Sequence, residues 1–248
     1  MGVDLFPDGK TCNFDCPYCD VYTAPGEPPF DPAELDREFE EFFRVQYPAF
    51  LPDHPLRDIA LSGSGEPTLS PHLAEALDSM RRARDQWAPS AGLVLITNST
   101  MLGDPKTAEI LGRRVEEAGL TVWAKLDAGG ETMYARMSRS SVPFAELTDG
   151  LLAFSRGHPV ILQTMLCQTD GDGPSPADLE EYAGTVSSLA ERGARFREIH
   201  LYTTARPSMV GHTEALSDDE LRPAARKIAE IVRGVPVRLF GASGELTS

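Results

Sequence analysis

Cysteine is scarce in this chain: four in 248 residues, three of them standing together as Cys12, Cys16 and Cys19. So few thiols, so placed, exclude the disulfide framework of a small secreted protein and leave metal or redox chemistry. Basic residues are also short, 23 Lys and Arg against 38 Asp and Glu, for a net charge of −15. That balance opposes nonspecific attraction to phosphate backbones, which calls for a basic face, although a local basic pocket stays compatible with it. No segment approaches the roughly 20 apolar residues of a membrane span. The opening "MGVDLFPDGK" lacks the basic start and long apolar stretch of a secretory leader, so a cytoplasmic protein is expected. There is no solenoid repeat, low-complexity tract or interdomain linker, and 41% of residues are apolar, so one domain over residues 1–248 is expected.

What is present is regular punctuation. Seven apolar or β-branched runs recur, "GVDLF", "DIALS", "GLVLIT", "LTVWAK", "PVILQTML", "EIHLY" and "PVRLF", separated by six segments of helical spacing such as Leu35, Phe39, Phe42 and Phe43. Asp31-Pro32, Ser70-Pro71, Asp104-Pro105 and Ser175-Pro176 each put a capping oxygen before a proline suited to the first helical position. Ser217 with Glu220 predicts a capping box, and Gly119, Gly157, Gly193 and Gly234 are predicted to end helices in the left-handed conformation. The Pro-rich stretches 24–32 and 47–55 read as surface loops.

Strand alternating with helix implies parallel strands joined by right-handed crossovers, an α/β layer or barrel. Seven strands fall short of the eight that close a full barrel, so an incomplete barrel open on one side fits best. In such folds ligands gather at the carboxyl ends of the strands. Those ends carry the cysteine loop, then "SGSGEPT", "TNST", "KLDAGG", "QTMLC" and "YTTARP", so polar and glycine-rich residues crowd one rim.

The spacing C-x3-C-x2-C in "TCNFDCPYCD" brings three sulfurs onto one short loop, one fewer than a closed tetrahedral site needs. Such a loop is a poor structural zinc site but leaves one iron of a [4Fe–4S] cluster without a protein ligand. The competing readings are a zinc knuckle completed by Asp20, His54 or His72, and plain buried thiols.

With its strand-end motifs, the loop resembles the radical SAM superfamily, whose signature C-x3-C-x-aromatic-C is matched by Cys12, Cys16, Tyr18 and Cys19. The likeness spans nearly the whole chain. It implies a partial (β/α)6 TIM-like barrel with a final C-terminal strand, and a [4Fe–4S] cluster on Cys12, Cys16 and Cys19. It also implies S-adenosylmethionine chelated at the open iron, where an electron from the cluster splits the sulfonium to give a 5′-deoxyadenosyl radical. The protein positions and the cofactor reacts. "SGSGEP" is similar to the superfamily's G-G-E-P motif, so Gly63, Ser64, Gly65 and Glu66 are expected to offer backbone groups to the methionine amino group, with Ser64 in place of a glycine. By the same resemblance Asn98 stands where a polar contact to the cofactor is common, and Lys125 and Asp127 are placed to serve its carboxylate and ribose hydroxyls. A structural ion pair accounts for Lys125 and Asp127 as well. Arg206 has the fork to clamp a carboxylate of cofactor or substrate, and a rim salt bridge explains it equally.

More narrowly, "GVDLFPDGKTCNFDCPYC", "ALSGSGEPTL", "AKLDAG" and "HLYTTARP" resemble the small iron–sulfur oxidoreductases related to the tRNA wybutosine-synthesis enzymes. Two departures oppose their RNA chemistry: no cysteine precedes Cys12 to hold a second cluster, and the acidic balance suits a tRNA badly. One cluster is therefore expected, because eleven residues before Cys12 and eight after "VRLF" leave no room for a peptide-recognition domain or auxiliary clusters. The resemblance implies a flavodoxin- or ferredoxin-type electron donor. A small-molecule substrate is favoured over nucleic acid, with RNA or a partner protein as the alternative and a noncatalytic metal-bearing binding module as the non-enzyme reading. Cys167 lies in or just after an apolar strand and is read as packing. His200 alternates with apolar neighbours and is read as a core histidine, while Met133, Tyr134, Arg136, Met137 and Arg139 form either a substrate cover or an exposed helical turn.

Overall fold

The computed structural model describes residues 1–21, 29–49, 54–206, 208 and 212–246. Two compact units are distinguishable: Met1–Cys12 with Tyr22–Thr97 and Glu109–Val122, and Asn13–Val21 with Asn98–Ala108 and Trp123–Ser248.

In the first unit, β1 (Gly2–Val3), β2 (Asp58–Leu61) and β3 (Gly92–Thr97) run parallel, with Val3 opposite Leu61 and Ile59 opposite Leu93. Helix α1 (Pro32–Glu41) starts as the Asp-Pro pair predicts, Asp31 accepting the Ala33 N–H at its N-terminus. Its apolar stripe continues into a π-helical turn, Phe42–Gln46, where Phe43 stacks on Trp87 of α2 (Leu73–Trp87) at 6.1 Å. The expected start of α2 at Pro71 is corrected: the N-cap is His72, and Ser70 Oγ accepts the His72 N–H at 3.2 Å. The reason lies upstream, where Glu66-Pro67 has already opened a 3-10 turn over Pro67–Leu69, so the helix proper begins only after that turn is finished. Of the predicted surface loops, residues 24–28 and 50–53 lie outside the described residues, and Tyr47–Ala49 forms a 3-10 turn.

Helix α3 (Pro105–Ala118) begins where Asp104 Oδ1 accepts the Thr107 N–H at 2.8 Å, and Gly119 at φ +67° turns the chain into β4 (Leu120–Lys125). In the second unit, β4 is followed by α4 (Glu131–Met137), α5 (Phe144–Gly157), β5 (Val160–Met165), β6 (Cys167–Thr169), α6 (Pro176–Glu191) and β7 (Phe196–Tyr202). Then come β8 (Thr213–Ala215), α7 (Asp218–Ile231), β9 (Val237–Gly241) and β10 (Gly244–Leu246). Strands β4, β5, β7 and β9 are parallel, with Lys125 opposite Gln163, Gln163 opposite His200 and Tyr202 opposite Phe240. The predicted capping box of Ser217 with Glu220 forms at the start of α7, and at α6 the predicted Ser175 cap proves to be a capping box as well, with Asp178 as its partner. Gly157 departs from expectation: it is the last helical residue, and His158 beyond it is extended.

The sheet order is β1-β2-β3-β4-β5-β7-β9-β10 and does not close on itself among the described residues. All seven expected strands are present, and six β/α units precede the final parallel strand β9. Among the described residues three short strands went unread: β6 and β8, which pair with each other antiparallel, and β10, antiparallel to β9. Burial alternates along β4: Leu120, Val122 and Ala124 are buried, while Thr121, Trp123 and Lys125 on the opposite face are half-buried. The half-buried face thus carries polar and aromatic groups toward the strand ends.

Candidate functional site

The loop after β2 is built around Asp4. Its Oδ1 accepts the N–H groups of Phe6 and Ser64, both at 2.9 Å, and its Oδ2 accepts the Ser64 hydroxyl at 2.6 Å. Gly63 packs so closely that a Cβ would lie 2.4 Å from the Asp4 carboxyl carbon, and at Gly65 one would lie 2.1 Å from the Thr11 carbonyl oxygen. Thr11 pairs with this loop as a strand would, donating to Ser64 O at 3.2 Å and accepting from Glu66 N at 2.8 Å. Glu66 is 2% exposed. Its Oε1 accepts from Thr68 N, Thr68 Oγ1 and Thr97 Oγ1 at 3.0, 2.5 and 2.7 Å, so the carboxylate is an internal anchor.

In the second unit, residues 13–20 are gripped from several strand ends. Asn98, just past β3, donates to Asn13 Oδ1 at 2.6 Å and is itself steadied by Thr100, which donates to Asn98 Oδ1. Asn13 donates in turn to Thr100 Oγ1 at 2.8 Å. Beyond α4, Ser138 O accepts from Asp15 N at 2.9 Å, and Ser140 Oγ donates to Asn13 O at 2.9 Å. After β7, Arg206 pairs with Asp20 at 2.6 Å, and the hydroxyls of Ser208 and Thr213 donate to Pro17 O at 2.7 and 3.0 Å. Phe14 packs edge-on against Tyr134 of α4, whose ring also meets Phe144.

The most buried of these grips joins Tyr18 to β4, β5 and β7. The Tyr18 hydroxyl donates to Asp127 Oδ2, the Met165 N–H donates to Asp127 Oδ1 at 2.8 Å, and Lys125 Nζ lies 3.2 Å from Asp127 Oδ2. Lys125 Nζ is also 2.5 Å from the Tyr202 hydroxyl and 5.1 Å from the ring centroids of both Tyr18 and Tyr202. Burial is the largest influence and works against the Lys125 charge, but the Asp127 carboxylate together with Tyr202 and Cys16 outweighs it and raises the ammonium's pKa above its ordinary value. Burial, then the Asp127 charge, pushes the Tyr18 hydroxyl well above the usual phenol range. Tyr202 is raised as well, mainly by burial. Both phenols therefore stay protonated at neutral pH.

Asn98, Lys125, Asp127 and Arg206, predicted as cofactor contacts, thus spend polar atoms on the segment around the cysteines. Lys125 with Asp127 is the ion pair that their shared facing allowed, and Arg206 is the rim salt bridge; its side chain is 79% exposed, so the pair contributes little to stability. Asp4, Asn13, Thr97 and Tyr202 were not singled out from sequence. Tyr202 left a local trace as the last residue of "EIHLY", two positions beyond His200, and Thr97 one as the first residue of "TNST". His200 is a core histidine, bonded to Glu198 at 2.8 Å and set edge-on against Trp123 and Phe240. Cys167 is 3% exposed, and burial pushes its thiol up to about 11. Met133, Tyr134 and Met137 of α4 are buried, so this segment is not an exposed turn.

No disulfide joins Cys12, Cys16, Cys19 and Cys167; Cys16 is buried, Cys12 and Cys19 are half-buried, and Cys19 N donates to Cys16 O at 3.1 Å. Among the described residues no three His, Cys, Asp or Glu side chains stand gathered as a ready metal site. Of the competing zinc ligands, Asp20 is engaged by Arg206, and His72 stands at the N-cap position of α2 with its ring tilted against Phe30 at 5.9 Å. A donor set of thiols alone suits the iron of an iron–sulfur cluster. No helix among the described residues is long and apolar enough to cross a membrane.

A family model described as the radical SAM superfamily matches residues 7–167. A UPF0026 protein of Helicobacter pylori is 24% identical over 250 residues, covering 100% of this chain and 75% of its own length. A radical SAM methyltransferase from Sphaerobacter thermophilus superposes with a TM-score of 0.66 over 93% of this chain at 17% identity. An archaeal TYW1 superposes with 0.50 over 86% at 19% identity. The chain spans 63% of the methyltransferase, less than two thirds of its length, and 68% of the archaeal protein. At such identities the likeness establishes the fold, a partial TIM barrel.

Proposed function

The chain belongs to the radical SAM superfamily, iron–sulfur enzymes that use a [4Fe–4S] cluster and S-adenosylmethionine, and on that footing we propose that it abstracts hydrogen from a small organic substrate. Residues 1–248 form a single catalytic core in this reading, with Cys12, Cys16 and Cys19 as the cluster ligands. When bound, the cluster would pass one electron from a flavodoxin- or ferredoxin-type donor to the sulfonium, so that its C–S bond breaks to release methionine and supply a 5′-deoxyadenosyl radical.

The chain's own contribution is placement. Asp4, Thr11 and the buried Glu66 carboxylate hold Gly63 to Glu66 in one conformation, so that strand end can meet the cofactor's amino group without reorganising. Asn98, Asp127 and Arg206 hold residues 13, 18 and 20 around the cysteines. Phe14 and Tyr134 pack an apolar wall beside the same segment and keep water from it. The observation that carries the reading is the convergence of three separate strand ends on the C-x3-C-x-Tyr-C loop. The net charge of −15 favours a small molecule over a nucleic acid.

Anaerobic reconstitution with iron and sulfide is expected to give a brown protein with about four irons per chain, which forms 5′-deoxyadenosine when reduced with S-adenosylmethionine present. Cys16→Ala should lose the iron absorption. A colourless protein holding one zinc would refute the reading. Transfer of deuterium from labelled small-molecule candidates into 5′-deoxyadenosine tests the substrate class, and transfer from tRNA alone would reverse it.

A further inference from the structure

We infer that Lys125 is a positioning residue: its ammonium, seated on Asp127 and between the rings of Tyr18 and Tyr202, holds the chain between Cys16 and Cys19 and does not itself receive the cofactor. The inference rests on the proposed function only in treating that segment as the cluster loop.

An ammonium is a compact, strongly hydrated charge, and taking it out of water is costly unless the surroundings replace that hydration. Here the replacement is complete in kind. One carboxylate lies at 3.2 Å, one phenol oxygen at 2.5 Å, and two aromatic faces stand 5.1 Å away, with the side chain only 14% exposed. Asp127 is equally committed, accepting from Tyr18, from the Met165 backbone and from Lys125. Tyr18 is therefore held twice, through its hydroxyl by a carboxylate fixed to β5 and through its ring by an ammonium fixed to β7. The ring tie rests on the cation directly, and the hydroxyl tie on the carboxylate whose counterion it is. Removing it leaves Asp127 as a buried charge lacking its counterion, opens the space between the two rings and frees the residue that separates Pro17 from Cys19.

The test is amide hydrogen exchange of the peptide containing Asn13 to Cys19 in the full chain, measured before and after cluster reconstitution. Lys125→Met is expected to accelerate exchange there at least about tenfold, the scale of one desolvated cation–π contact, while a peptide from β2 keeps its wild-type rate. Lys125→Arg keeps a cation able to stack between the rings and is expected to restore most of the protection. Unchanged loop exchange in Lys125→Met overturns the inference. So does a Lys125→Arg chain as fast as Lys125→Met. If Lys125→Met does not fold, Lys125→Gln carries the test: it keeps a polar group beside Asp127 and removes the cation, so an unprotected loop supports the inference and a protected one overturns it. A wild-type chain that takes up no iron would defeat the proposed function and leave this comparison standing. A Lys125→Met chain with a protected loop, normal iron and no binding of S-adenosylmethionine would make Lys125 a direct ligand, overturning the inference and sparing the function.

Discussion

Ser64 is bound to Asp4 twice: its hydroxyl donates to Asp4 Oδ2 at 2.6 Å and its amide to Asp4 Oδ1 at 2.9 Å. A glycine at position 64 would keep the amide bond and lose the hydroxyl bond. The departure from the glycine quartet therefore comes with its own compensation sixty residues away, in a side chain that also caps the Phe6 N–H.

Ser64→Ala should accordingly lower stability by about 1 kcal/mol, the net worth of one partly buried hydrogen bond. Asp4→Ala strips the acceptor from three donors and should cost roughly 2 kcal/mol. Urea denaturation of both single variants and the double variant measures this. The double variant should fall short of the sum, because the two residues share one interaction.

Close backbone approach makes a sharper prediction at Gly129. A Cβ there would lie 2.1 Å from Tyr182 N and 2.4 Å from Tyr182 Cα, both main-chain atoms of α6 that have no rotamer in which to retreat. Gly129→Ala should destabilise by about 3 kcal/mol or more through overpacking. Gly184, inside the same helix, has open space around it, so Gly184→Ala should stabilise by roughly 0.5–1 kcal/mol. Opposite shifts in melting temperature would bear this out; equal shifts would contradict it.

Cys167 offers a pH-dependent handle that is separate from the cysteine loop. Its thiol is pushed from the ordinary 9.0 up to about 11, chiefly by burial, so folding favours the neutral form. Stability from this group is fully present below pH 9 and is lost as pH rises through about 11. Cys167→Ala should flatten the alkaline arm of the stability curve and leave iron content unchanged. In the apo-protein at pH 8, iodoacetamide should modify Cys167 more slowly than Cys12 or Cys19; equal rates would count against its burial.

At the acid end the sensitive group is Glu198. Its hydrogen bond with His200, aided by Arg238, holds its carboxyl below the ordinary range. The stability it lends is present above the ordinary carboxylate pKa of 4.5 and lost as pH falls through the lowered value. With the Glu198 side chain 33% exposed, solvent screening keeps the effect under about 1 kcal/mol. Glu198→Gln should reduce the loss of stability on acidification, as read by denaturation midpoints at successive pH values; an unchanged acid profile would contradict this assignment.

Much of the frame was legible because its causes are local. Asp31, Asp104, Ser175 and Ser217 announce helix starts through hydrogen bonds made within three residues, and β4 alternates because successive side chains must face opposite ways. The misplaced start of α2 is instructive: Ser70-Pro71 carried the right residues, but the turn opened by Glu66-Pro67 had already claimed that stretch. The strands β6, β8 and β10 are too short to show a period and form only where a partner strand is supplied.

From its own order of residues the chain determined the alternation that makes an open parallel barrel, the thiol-rich loop at Cys12, Cys16 and Cys19, and the set of polar side chains at the strand ends. Tertiary structure alone decided what those side chains hold. Lys125 meets a tyrosine 77 positions away, and Asp127 one 109 positions away. The physical reason is that a buried charge takes whatever partner the neighbouring strands bring within reach of it, and that choice depends on sheet order and register, which no local spacing records.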